Sequence, residues 1–326
     1  MYEVARSIRR IAPWNFLWES DLITIMLPGR EEPVYCSMIG RGGECYGIGV
    51  YPGYESINGF YRLAEATEDK FSFLLGFEQN CFMCYFGDRE ELSPKEREIL
   101  KALNIKFRGR NEWIYFRAME TGHFPWYINS DQAVLLIQAL QNFAMTCTYL
   151  LEDKISVDFE GGETLLRYYS PEKELWLNAA VKKNPIPIIK PRLIIDNEVL
   201  TARLRKKKRG NARLDFEVVF IPAPIKENKE DKPYLPHLVL LADRSNGLIL
   251  DQFMADKGDR IEVRILDMLT SYIDKFGKPL SINVRDDRAG RYIEDFCKKI
   301  GVDFIEGRGV PSMDLILEGM LDFLEG

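Results

Sequence analysis

The chain has 326 residues, 46% of them hydrophobic and 29% charged, with a formal net charge of −6, a composition that suits a globular protein long enough for two cores. Only two histidines occur, His123 and His237, which excludes most zinc, haem and histidine-triad chemistry and leaves carboxylates as the residues to hold any metal. Six scattered cysteines predict thiols rather than a disulfide framework, and the lack of a signal core or of roughly 20 consecutive apolar residues predicts a cytoplasmic protein with no membrane segment.

In chain order, Val4, Ile8 and Ile11 place a helix at the start. LITIML, VYCSMI and CYGIGVY, separated by Pro, Gly and Glu turns, predict a strand meander. GRGGECYGIG, residues 40–49, has no Lys-Ser/Thr, does not fit GxGxxG and leads into a further strand, so it predicts a hairpin turn rather than a phosphate loop. Cys81 and Cys84 lie in the strand-like run NCFMCYF, where residues three apart point to opposite faces. They predict core thiols, not a metal clamp. Ala133, Leu136, Ile137, Leu140, Phe143, Ala144, Cys147 and Leu151 define a helix over 130–151 with Ser130 as its N-cap. TLLRYYS and ELWLNAAV predict a hairpin that completes an α+β domain over residues 1–181. Trp14, Phe16, Trp18, Trp113 and Trp126 read as core aromatics, with stacking on a base or ligand as the alternative.

Residues 182–211 differ in kind, as a basic connector and helix. The stretch 182–213 holds eleven Lys or Arg against two Asp or Glu. Pro185, Pro187 and Pro191 predict an extended segment, after which Asp196 or Asn197 caps a short helix through Val199, Leu200 and Leu204. A cationic last turn is favoured by the helix dipole without any partner. The alternative reading is contact with a nucleic-acid backbone by Arg203, Arg205, Lys206, Lys207, Lys208, Arg209 and Arg213.

From residue 212 onward, LDFEVVFI, HLVLLA and LILDQFMA predict three strands, the last two joined by a turn at Asp243-Arg244-Ser245-Asn246-Gly247. A helical stripe over 260–276 stops at Gly277 and Pro279, the strand LSINV follows, a second stripe from Ala289 to Ile300 stops at Gly301, and VDFIE is the fifth strand. A last helix follows Pro311, with Met313, Ile316, Leu317, Met320, Leu321 and Leu324 inward. These elements predict an α/β domain over 212–326 with a five-stranded mixed sheet in the order 3-2-1-4-5 and helices on both faces. Asp215 and Glu217 share one face of the first strand, while Leu214, Phe216, Val218 and Phe220 line the other.

The blocks ARLDFEVVFIPAP, HLVLLADRSNGLILDQF and GKPLSINVRDDRAGRYIEDFCKKIGVDFIEG resemble the retroviral-type integrase and transposase core, an RNase H-like fold. That resemblance implies catalytic acids at Asp215 and Asp286, with Asp314 or Glu318 of the last helix as the third, and Mg²⁺ or Mn²⁺ held by Asp215 and Asp286 for in-line phosphoryl transfer. The family pattern carries Asn-Gly after its second acid, where this chain has Asp287-Arg288. Two readings follow: a degenerate RNase H-like domain in an interaction or regulatory protein that needs no cofactor, placed first, and a metal-dependent nuclease or strand-transfer enzyme acting on nucleic acid held by residues 203–213. The whole chain also resembles a bacterial family of two tandem domains of unknown function, through APWNFLW, YCSMIGRGGECYGI, FRGR and PWYI in the first half and RDDRAG in the second.

Overall fold

A computed structural model describes residues 1–66, 72–183, 193–228, 231–307 and 310–325. Pro185, Pro187 and Pro191 lie outside the described residues, as do the side chains of Met320, Leu321 and Leu324. The chain divides into two units, Met1–Pro187 and Ile188–Gly326.

In the first unit, α1 (Tyr2–Ile11) precedes an antiparallel meander of β1 (Ile23–Met26), β2 (Val34–Ile39), β3 (Tyr46–Pro52), β4 (Cys81–Gly87) and β5 (Trp113–Met119). Two helices not expected from the sequence, α2 (Tyr54–Glu65) and α3 (Pro94–Ala102), occupy its connections. α4 (Ser130–Leu151) then returns the chain to β6 (Glu163–Ser170), which pairs parallel with β1, and β7 (Leu175–Lys182) completes a hairpin. The order is β5-β4-β3-β2-β1-β6-β7.

Strand alternation places Ile25, Met38, Val50 and Cys84 on one face, against Leu140 and Phe143 of α4 and Ile8 of α1. Cys81 and Met83 face the opposite way, toward Tyr51 and Ile57. The two thiols therefore belong to different cores, as the period of two requires, and burial pushes the Cys81 thiol up to about 12. Trp14 is buried, whereas Trp18 is exposed beneath the Arg41 guanidinium, 4.1 Å from the ring centroid. Between β2 and β3, Gly40 (φ 138°) and Gly43 (φ 82°) adopt conformations that side chains resist, and a Cβ on Gly40 would meet Tyr46 Cδ1 at 2.6 Å. The segment is a turn between strands.

The cap of α4 lies one residue before the expected Ser130. Asn129 accepts from the Gln132 amide at 2.9 Å, while Gln132 accepts from the Asn129 amide, a reciprocal box that satisfies two end donors. This helix of 22 residues contains an 18-residue stretch with a mean hydropathy of 1.4, so by length and composition alone it could cross a membrane. Its Leu136, Ala139, Leu140, Phe143 and Cys147 are fully buried against the sheet, the place of a core helix.

The second unit contains α5 (Glu198–Arg205), β8 (Arg213–Phe220), β9 (His237–Asp243), β10 (Ile249–Ala255), α6 (Ile261–Phe276), β11 (Ser281–Val284), α7 (Asp287–Ile300), β12 (Asp303–Glu306) and α8 (Pro311–Glu325). Its mixed sheet runs β10-β9-β8-β11-β12, the strand order expected from the sequence. The first three strands pair antiparallel and β8-β11-β12 pair parallel. Leu214, Phe216 and Val218 of β8 pack with α6 and α7, and Leu193, Ile195 and Leu204 enter the same core. Residues 193–211 are thus drawn into this unit by their own apolar side chains. α8 rests on β8 and β9.

Candidate functional site

The face of β8 away from that core carries two acids, both fully buried: Asp215 and Glu217. A buried carboxylate without a counter-charge is costly, so its partners define the site. Arg244, which follows β9, donates to Asp215 Oδ1 at 2.7 Å. Asp215 is therefore not an exposed strand-end carboxylate.

Arg285 is the centre of the cluster. It leaves the end of β11, is 8% exposed, and donates through Nε to Glu217 Oε2 at 3.1 Å and through a terminal nitrogen to Asp314 Oδ1 of α8 at 2.6 Å. The second Glu217 oxygen accepts from the Val218 amide. Burial raises the Glu217 carboxyl to about 7, outweighing the opposing charges of Arg285 and Arg288 and adding to the repulsion from Asp286.

Asp286 is the N-cap of α7, where it accepts from the Arg288 amide at 3.0 Å. The Arg288 side chain also grips both of its carboxylate oxygens. Asp287 occupies the first turn of α7, favourably placed for the helix dipole. Glu306, at the end of β12, is held above the usual carboxylate range by desolvation first and then by Asp287 and Asp286. Asp243 is a turn residue, accepting from the Ser245 amide and hydroxyl.

Thus Glu217, Asp286 and Asp314 gather around Arg285 and Arg288, Asp215 lies on the same strand face as Glu217, and Glu318 is on an exposed turn of α8. The divalent ions that the resemblance implies do not fit this donor set. Asp215, Glu217, Asp286 and Asp314 each already accept from a guanidinium, and among the described residues no three His, Cys, Asp or Glu side chains form a group able to hold a metal. Metal binding by Asp215 and Asp286 would first have to displace Arg244 and Arg288.

The basic run is spent largely within its own unit. Arg203 and Lys207 both bond Asp274 of α6, at 2.7 Å each, and these hydrogen bonds hold the Asp274 carboxyl below its usual range, Lys207 contributing first. Arg205 donates to the Lys299 carbonyl, and Arg209 reaches the Leu280 carbonyl and Asp303. Asn197, rather than Asp196, caps α5 through the Leu200 amide. Lys206, Lys208 and Arg213 are exposed, and their side chains make no hydrogen bond or ion pair among the described residues.

Sequence reasoning missed the arginines. Arg285 and Arg288 bracket Asp286-Asp287, and Arg244 follows Asp243 in the hairpin. The basic residues beside Asp243 and around Asp286-Asp287 were a signal, but Asp215, Glu217 and Asp314 have apolar neighbours in sequence, and pairing across strands depends on register rather than adjacency.

The second unit thus has a mixed α/β sheet with an acid cluster neutralised by arginines. The chain belongs to the family of the domain of unknown function DUF7309, whose model matches residues 1–167. Residues 200–321 match a second domain of unknown function, DUF6930. No curated protein matches the chain.

Proposed function

We propose that residues 212–326 form an RNase H-like domain whose acidic centre is neutralised by arginines in place of metal ions, and that the protein is a non-catalytic interaction or regulatory protein. The observation that carries this reading is the engagement of four acids by three guanidiniums: Asp215 by Arg244, Glu217 and Asp314 together by Arg285, and Asp286 by Arg288. The strand order β10-β9-β8-β11-β12, with β8 and β11 parallel neighbours, supports the RNase H-like comparison. A fold of that kind does not itself imply the reaction. Phosphoryl transfer by two metals needs acids free to bridge them and to stabilise both attacking and leaving oxygens. Here that valence is used internally.

The test is a nicking assay on single- and double-stranded nucleic acid with Mg²⁺ and with Mn²⁺. The expected result is no cleavage and no thermal stabilisation by either ion that depends on Asp215 and Asp286. Robust Mn²⁺-dependent nicking, abolished by the double variant Asp215→Asn, Asp286→Asn, would establish the nuclease reading instead.

Nucleic-acid binding through residues 203–213 is expected to be weak, since Lys206, Lys208 and Arg213 are the members of the run not engaged within the unit. A gel shift at roughly 50 mM salt checks this, because phosphate contacts weaken steeply as salt rises. The expected outcome is no tight, salt-sensitive complex. A tight complex lost on changing Lys206, Lys208 and Arg213 to Glu would make nucleic acid the partner.

A further inference from the structure

Arg167 stands apart from every arginine of the acid cluster. It lies on β6 between Ile25 of β1 and Asn178 of β7, is only 5% exposed, and has no carboxylate partner among the described residues. Its hydrogen bonds go to neutral amides: Nε donates to Asn142 Oδ1 of α4 at 2.7 Å, and a terminal nitrogen donates to Asn178 Oδ1 at 3.1 Å. The Trp176 ring lies 5.2 Å from the guanidinium carbon.

A guanidinium has five N–H donors and cannot accept or lose its proton at any pH the protein meets. Two donors are used, so three have no bond among the described residues. Because Arg167 only donates, both asparagines must turn their oxygens toward it, which fixes the orientation of their amides. Asn142 then gives its nitrogen to the Gln138 carbonyl at 2.9 Å. Asn178 has no such outlet. Its Nδ2 is buried without a hydrogen-bond partner. A buried positive charge and a buried orphan donor are therefore adjacent, on the strand at the sheet edge and the one beside it. One acceptor carrying negative charge would satisfy both.

We propose that Arg167 and Asn178 bind a small oxyanion, a carboxylate or a phosphoryl group. The guanidinium supplies the charge and Asn178 Nδ2 the second donor, while Asn142 and the Trp176 ring hold the guanidinium in place. Burial already disfavours the charged arginine, so a bound anion gains the full interaction of a poorly solvated cation. The site is independent of the acid cluster and of its non-catalytic reading.

The experiment is thermal unfolding of the full-length chain in sodium phosphate, sodium acetate and sodium chloride at matched ionic strength. Phosphate and acetate separate the phosphoryl from the carboxylate source. The parent is expected to gain saturable stability from at least one of them, with its unfolding constant falling about elevenfold at ten times the dissociation constant. Asn178→Asp places a carboxylate beside Arg167 permanently and is expected to melt higher than the parent in chloride and to lose the response. In the parent, the Asn178 side-chain amide resonances should move with the same saturation curve, a change that general salt stabilisation does not produce. A parent that responds no more to phosphate or acetate than to chloride, or an Asn178→Asp variant that keeps the full response, overturns the proposal.

Discussion

Arg285→Met is expected to lower the stability of the second unit by about 3–5 kcal/mol, the cost of removing one partner from a buried ion pair. The size follows from what is left behind. Glu217 is fully buried and Asp314 is partly buried, and both lose the same guanidinium. Methionine fills similar space but returns no donor, so the loss is of charge compensation more than of packing. Urea unfolding at pH 8 measures it. The triple variant Arg285→Met, Glu217→Leu, Asp314→Leu should recover most of the loss, because replacing all members of a buried ionic set by apolar residues is often close to neutral. A single-variant loss under about 1 kcal/mol would show that solvent reaches the cluster and screens it.

Stability should also fall as pH rises from 5 to 8, through Glu217. Its carboxyl is raised by burial from the ordinary 4.5 to about 7. Between those values the folded chain keeps a proton that the unfolded chain releases, so each increase in pH favours unfolding. The contribution is complete below about 4.5 and gone above about 7. At about 1.4 kcal/mol per unit, the difference amounts to about 3 kcal/mol. Glu217→Gln removes the titrating group, so the difference in stability between parent and variant should shift by that amount between pH 5 and pH 8, in favour of the variant at the higher pH. A difference that stays constant across the range would mean that Arg285 keeps Glu217 ionised throughout.

The two units differ in how far they could be read from sequence. The second was legible as an order of elements because its apolar stripes are long and end at Gly277 and Gly301, and the latter closes α7 in a left-handed conformation. In the first unit, α2 and α3 were hidden. The buried residues of α2 are Ser56, Ile57, Asn58 and Gly59, which make no apolar stripe. The start of α3 was signalled by Ser93-Pro94-Lys95-Glu96, a capping box with proline at the first helical position. The apolar run before it drew attention to strands instead. At the acid cluster, period two correctly put Asp215 and Glu217 on one face. It could not show that arginines from the ends of β9 and β11 would meet them there, nor that a lone arginine in TLLRYYS would turn inward.

The parallel pairing of β1 with β6 has a consequence for synthesis. Thr24 bonds Thr164 across that junction, 140 residues apart in sequence. A nascent chain completes β1 through β5 as an antiparallel sheet while one edge of β1 still has no partner. At the usual 5–20 residues per second, roughly 7–30 s pass before β6 is made. During that interval a strand destined for the interior of the sheet presents open backbone donors and acceptors. Conditions that slow elongation between residues 26 and 163 lengthen this exposed period and should increase aggregation of ribosome-bound chains, even though the finished protein is unchanged.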